Sequence, residues 1–297
     1  MSSKKILITG ANGQLGWELG QLAQQFKQFE FILLDRTLLD LSKPALLEGI
    51  INEYQPSYII NTAAYTAVDK AESEQELATL INSTAVATLA GIAKNKGIPF
   101  ITYSTDYVFN GQATQPYTTE EPLDPINFYG KTKADGEVLA IAANPNTIII
   151  RTSWVFSSHG NNFVKTMLRL MKDRESINVV ADQKGRPTYA RDLAVATMDM
   201  VLAIEKGQPI KGVFHYANKG VTTWYAFAEK IKQHAGLTCK INPITTSEFP
   251  TPAKRPGYSV LDTARIENEL GMHIPNWENA LLDCQNKLNA INGAQSF

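Results

Sequence analysis

The sequence predicts an α/β fold, a doubly wound parallel sheet followed by a smaller C-terminal mixed α/β domain, because its first half alternates short β-rich apolar runs with longer helix-periodic ones. A glycine-rich turn follows the first run directly, and near residue 155 the alternation gives way to another rhythm. Strands covered on both faces must be apolar along their length, and the first-half runs are.

In order, the candidate strands are KILIT at 5–9, EFILLD at 30–35, SYIINTA at 57–63, PFITYST at 99–105 and NTIIIRT at 146–152. Between them GQLGWELGQLAQQF, KPALLEGIINEY, ESEQELATLINSTAVATLAGIAKNK and YGKTKADGEVLAIAA carry apolar residues at helical spacing. DLSKP offers Ser42 as a helix cap and an early Pro44. Beyond 155, NNFVKTMLRLMKDR reads as helix, INVVAD as strand, YARDLAVATMDMVLAIEKG as helix and GVFHYAN as strand. TTWYAFAEKIKQHAG and segments near 263–270 and 277–290 are helical, while the proline-rich stretch 242–257 reads as a surface loop. The expected division is 1–155 for nucleotide binding and 156–297 for the substrate, with part of 177–216 returning to the first domain.

A formal charge of -1 and a pI near 6.4 leave no electrostatic footprint for nucleic acid or an anionic membrane. The two cysteines, Cys239 and Cys284, stand far apart and outside any metal-ligand spacing, as expected of thiols in a reducing cytoplasm. MSSKKILITG lacks the apolar core of a signal peptide, and no stretch approaches the roughly 20 apolar residues of a membrane span. Small molecules are the expected partners.

GANGQLG places Gly10, Gly13 and Gly16 between the first strand and first helix. Glycines there permit a tight turn and close approach of backbone N–H groups to a pyrophosphate, so the sheet is expected to be of Rossmann type. Asp35 closes the second strand, 19 residues after Gly16, where a carboxylate accepts from the adenosine ribose. Arg36 follows and would meet a 2′-phosphate, which leaves NADPH and NADH both open. Asp40 either reaches the adenine amino group or serves as a plain turn cap.

Ser104, Thr105 and Asp106 stand at the carboxyl end of the fourth strand, where open α/β sheets bind ligands. FYGKTKADGE then sets Tyr129 and Lys133 four residues apart on one helix face. A phenol with its pKa near 10 is a weak acid at neutral pH, and a lysine ammonium on the same face, together with the positive nicotinamide of an oxidised cofactor, would lower that pKa toward the working range, while Lys133 can also hydrogen-bond the nicotinamide ribose. The pair reads as a proton donor and its tuner.

Taken together, GANGQLG, NTAAYTAVDKAE, STDYVFNG, FYGKTKADGE, RTSWVF and RPGYS resemble the extended short-chain dehydrogenase/reductase family along nearly the whole chain. The resemblance implies a catalytic triad of Thr105, Tyr129 and Lys133. It also implies cofactor contacts from Gly10, Gly13, Gln14, Leu15, Gly16, Asp35, Asp40, Leu41, Ala64, Tyr65 and Thr66. For the substrate it implies Thr105, Asp106, Trp154 and Arg255, the last two with a core aromatic and a solvated loop charge as their alternatives. Asn161 is either a substrate ligand or a helix cap. The implied reaction is NAD(P)H-dependent reduction of the 4-keto group of a dTDP-4-keto-6-deoxy sugar, dTDP-6-deoxy-L-lyxo-4-hexulose, to dTDP-L-rhamnose. The alternatives are a non-catalytic NAD(P)-binding regulatory subunit and a reductase of another nucleotide-activated 4-keto sugar.

Related dehydratases carry a glutamate after the Thr-Asp pair for elimination, whereas this chain has Tyr107, which favours reduction. Some members form a homodimer around Mg²⁺ held by glutamates, one in the first helix and one after a Pro-Thr turn. Glu18 matches the first, but RPTYARDLAV sets Arg191 near the second, so no metal is carried over and a homodimer is left open.

Overall fold

The computed structural model describes residues 3–294. The chain opens with β1 (Lys4–Thr9), α1 (Gln14–Leu22), β2 (Phe29–Leu34), α2 (Leu47–Tyr54) and β3 (Tyr58–Asn61). The short α3 (Val68–Ala71) precedes α4 (Gln75–Thr79), a π-helical turn (Leu80–Thr84) and α5 (Ala85–Lys96). β4 (Phe100–Thr105), α6 (Phe128–Ala143), β5 (Ile148–Thr152) and β6 (Val155–Phe156) follow, then α7 (Phe163–Asp173) and β7 (Ser176–Val180). After β8 (Lys184–Gly185) and β9 (Thr188–Tyr189) come α8 (Ala190–Glu205), β10 (Gly212–His215), β11 (Thr222–Thr223) and α9 (Trp224–Ala235). β12 (Lys240–Ile244), α10 (Ala264–Leu270) and α11 (Trp277–Ala294) complete it.

Six parallel strands form the central sheet in the order β10-β5-β4-β3-β1-β2. Successive side chains alternate between its faces. Ile6, Ile8, Ile60, Ile101, Ile148 and Ile150 therefore pack with Leu19 of α1 and Leu193 and Val201 of α8. Leu7, Leu34, Ile59 and Phe100 pack on the opposite side with α2 and α5. The doubly wound parallel sheet is as the sequence predicts. Between β1 and β3 the winding changes direction, and a crevice opens there at the carboxyl ends of the strands. A separate core gathers Phe156, Met167, Tyr189, Phe227, Trp277 and Leu281 beyond the sheet.

Several local expectations are corrected. The proline-rich stretch begins as strand rather than loop: residues 242–244 belong to β12, which pairs in parallel with β7. Ser42 caps no helix, since its backbone N–H and hydroxyl both donate to Asp40 Oδ1, and Pro44 opens a short 3₁₀ turn after Lys43. The helix expected to run unbroken to Lys96 contains a π turn at Leu80–Thr84. By length and composition Gln75–Lys96 could also cross a membrane, contrary to the sequence reading, but half of that window is buried and the helix is a core element packed on α6.

Candidate active site

The crevice is a cavity of about 680 Å³. Gly10, Gly13, Gln14 and Leu15 line it at one end, Arg36, Asp40 and Leu41 beside them, Ala64, Tyr65 and Thr66 along one wall, and Tyr129 and Lys133 at the inner end. The glycines have steric reasons. Gly10 has φ +68° and lies against Ala63, and a Cβ on Gly16 would collide with the Gly10 carbonyl, so only glycine lets α1 start this close to β1. A loop of this shape, with helix N–H groups behind it, fits a dinucleotide pyrophosphate.

Asp35 is not part of the cavity wall; its Oδ2 accepts from Asn12 Nδ2 (3.1 Å) and its Oδ1 from Thr37 N–H (2.9 Å) and Thr37 Oγ1 (2.6 Å). Arg36 lines the cavity, with three quarters of its side chain exposed and its Nε 3.7 Å from Asp40 Oδ1. The wall at residues 64–66 is held by Asn82, which accepts from the Tyr65 N–H (2.9 Å) and donates to the Tyr65 carbonyl (3.0 Å) and to Thr132 Oγ1 (3.1 Å). Asn82 lies in the π turn, a feature frequent at functional sites, and no residue pattern had announced it.

Asn127 caps α6 by accepting from Gly130 N–H at 2.8 Å, which sets Tyr129 in the first turn and Lys133 one turn later. Tyr129 is 9% exposed, and burial pushes its phenol well above the usual range; the Thr105 hydroxyl opposes that rise and the Asp106 charge adds to it. The expected lowering by Lys133 is not what the chain's own groups produce. Lys133 instead donates to the Tyr103 carbonyl at 2.7 Å, and burial lowers its ammonium to about 8, opposed by the charge of Glu137. At neutral pH Tyr129 is thus a neutral phenol, the form a proton donor needs.

Thr105 and Asp106 lie outside the wall of that cavity, just behind Tyr129. The Thr105 hydroxyl donates to Asp106 Oδ1 (2.9 Å) and accepts from Tyr107 N–H (3.2 Å). Asp106 is 2% exposed; burial raises its carboxyl to about 6, opposed first by the Ser259 hydroxyl and then by Thr105. Tyr107 packs edge-on against Tyr129, ring centroids 5.7 Å apart.

Trp154 is not in the cavity wall; it is half-buried and packs against the second core. Its φ of +48° is strained for a bulky residue, and its indole lies flat on Trp224 at 3.6 Å with Gly185 against its edge. Arg255 is no solvated loop charge: it pairs with Asp69 (2.8 Å) and donates to the Ala253 carbonyl, pinning the proline-rich loop to α3. Asn161 is exposed, and the α7 cap is its neighbour Asn162, which accepts from Lys165 N–H. Trp224 and Asn162 were hidden in segments read as ordinary helix starts.

At the position matched to the metal-bridged members, Glu18 is fully buried and accepts from Ser157 Oγ (2.7 Å) and Lys287 Nζ (3.1 Å), while Arg191 is exposed. With an ammonium already on Glu18, these residues do not fit a divalent cation. Among the described residues no group of three or more His, Cys, Asp or Glu could hold a metal ion.

The model of the RmlD substrate binding domain matches residues 4–290. The chain is 40% identical over 292 residues to a dTDP-4-dehydrorhamnose reductase of Burkholderia thailandensis, covering 94% of this chain and 97% of the relative. It is also 40% identical to the dTDP-4-dehydrorhamnose reductase of Salmonella typhimurium, covering 92% and 94%. Among solved structures, the Bacillus anthracis dTDP-4-dehydrorhamnose reductase in complex with NADP superposes with a TM-score of 0.91 at 36% identity, covering 96% of this chain and all of that one.

Proposed function

This chain belongs to the RmlD substrate binding domain family, and we propose that it is the NAD(P)H-dependent reductase converting the 4-keto group of dTDP-6-deoxy-L-lyxo-4-hexulose to the alcohol of dTDP-L-rhamnose. The observation that carries the reading is the joint placement of Tyr129 and Lys133 at the inner end of the crevice that begins at the glycine loop. When bound, the nicotinamide supplies the hydride. The chain supplies the rest: Tyr129 gives its proton to the developing alkoxide, Thr105 hydrogen-bonds the same oxygen, and Lys133 holds the nicotinamide ribose. For Thr105 to donate to substrate, its proton must leave Asp106, and a protonated Asp106 would release it.

The two halves of the chain divide the work in this reading: residues 1–155 with α8 and β10 bind the cofactor, and the rest of 156–297 binds the sugar nucleotide. Trp154 faces the sugar, and Arg255 binds pyrophosphate only after exchanging Asp69 for it. Tyr107 in the place of a glutamate leaves elimination without a base. The buried free thiols Cys239 and Cys284 suit a cytoplasmic enzyme, and a homodimer is compatible with the same chemistry. The test is steady-state oxidation of NADPH and NADH with the dTDP-keto sugar and with other nucleotide-activated 4-keto sugars. Absence of turnover with all of them would favour the non-catalytic reading, and preference for a nucleotide other than dTDP would overturn the substrate.

A further inference from the structure

The segment Ser157–Asn162 comes from beyond β6, yet it reaches back over the start of α1. His159 stacks on Trp17 with ring centroids 4.8 Å apart and planes within 4°, and its Nε2 meets the Asn12 carbonyl at 3.1 Å. Asn162 donates through Nδ2 to Gln14 Oε1 (3.0 Å) and to the Ser157 carbonyl (2.7 Å). Ser157 in turn donates to the buried Glu18 carboxylate. Asn12 and Gln14 both line the crevice, whereas His159 and Asn162 do not.

The geometry points to this strap as a positioning element for cofactor binding, with His159 acting through the Asn12 carbonyl and Asn162 through the Gln14 side chain. The inference rests on the crevice being the NAD(P)H site. A loop with glycines at 10 and 13 has much conformational freedom to lose when it closes on a pyrophosphate. Contacts that fix it beforehand remove that cost from binding and so strengthen affinity without touching the chemical step. Asn162 and His159 hold the two residues that flank Gly13, the last of the loop and the first of α1.

Two variants separate this role from a structural one. Asn162→Ser keeps a side-chain oxygen to cap α7 but loses the Nδ2 donor. His159→Ala removes both the stack and the Asn12 contact, while His159→Phe restores the stack alone. The dissociation constant of NADPH, read by nicotinamide fluorescence, should rise about three- to tenfold in Asn162→Ser and in His159→Ala, with His159→Phe between His159→Ala and the parent. The KM for NADPH should rise with it, while kcat at saturating cofactor stays within about twofold. In a cycle with Gln14→Ala, the Asn162→Ser effect should largely vanish, since Asn162 acts through that residue.

NADPH affinity within twofold of the parent in both Asn162→Ser and His159→Ala overturns the strap, as does a fall in kcat with affinity unchanged. If Asn162→Ser does not fold, His159→Ala decides alone. Gly16→Val keeps failure of the underlying site distinguishable: unchanged NADPH affinity there would refute the crevice as the cofactor site. Lost affinity in Gly16→Val with unaffected strap variants would refute the strap only.

Discussion

Replacing Tyr129 by Phe removes one hydroxyl at the inner end of the crevice and little else. The ring keeps its edge-on contact with Tyr107, and Thr105 keeps its bonds to Asp106 and to the Tyr107 N–H, so no partner is orphaned and stability should change by less than about 1 kcal/mol. The chemical loss should be large because no neighbour replaces the donor. Thr105 directs its proton to Asp106, and Lys133 donates to the Tyr103 carbonyl. Losing a general acid costs roughly 10²–10⁴ in rate, about 2.7–5.5 kcal/mol of barrier, and at a site 9% exposed, with few routes for water, the upper half is expected. NADPH oxidation with the dTDP-keto sugar gives kcat, and fluorescence titration gives NADPH affinity, which should stay within twofold. A kcat within threefold of the parent would refute Tyr129 as the proton donor.

Because burial holds Lys133 near 8, kcat should fall as pH rises through about 8, while the Tyr129 phenol remains protonated; an alkaline limb lying above pH 10 would exclude Lys133 as its source. Stability should move the other way. Between about 8 and 10.5 the unfolded chain binds more protons than the folded one, so the fold gains stability with rising pH, and Lys133→Met should flatten that rise in urea titrations while losing turnover. Asp106 has the opposite sign. Its carboxyl is raised from 3.8 to about 6, so its stabilising contribution is complete below about 4 and lost as pH rises through 6. Asp106→Asn should therefore stabilise the fold at pH 7, by at most about 3 kcal/mol, and a stability–pH curve between 4 and 6 identical to the parent's would contradict the assignment. Glu137→Ala leaves the Arg151 guanidinium buried and unpaired, both side chains being 4% exposed, and should cost about 3–5 kcal/mol in chemical denaturation.

The sheet was legible because each strand is an uninterrupted apolar run bounded by turn residues, a signal carried within a few neighbouring positions. The glycine loop and the Tyr129–Lys133 face were legible for the same reason: their spacings are local, and strand–turn–helix context fixes where they point. What escaped is set by contacts between distant residues. Arg255 meets Asp69 across 186 positions, and His159 meets Asn12 across 147, so neither partner marks the other in the sequence. The π turn at Asn82 escaped because the apolar spacing runs through it unbroken, and the bonds that hold the Asn82 side chain go to the backbone of residue 65. Asp35 shows a further limit. Its spacing from the glycine loop marked it as a ribose ligand, but not the hydrogen bonds from Thr37 and Asn12 that orient its carboxylate.

The last strand of the central sheet, β10, pairs beside β5 but is made only after the chain has left to build α7, β7 and α8. Between Thr152 and His215 lie 63 residue steps, which a ribosome adding roughly 5–20 residues per second covers in about 3–13 s. During that interval β5 is a bare edge, a hydrophobic parallel strand with an open ladder of N–H and C=O groups. A chain truncated after residue 155 would therefore leave β5 as an uncovered edge of the remaining five strands, open to chaperones and to other copies. Release of residue 215 closes it.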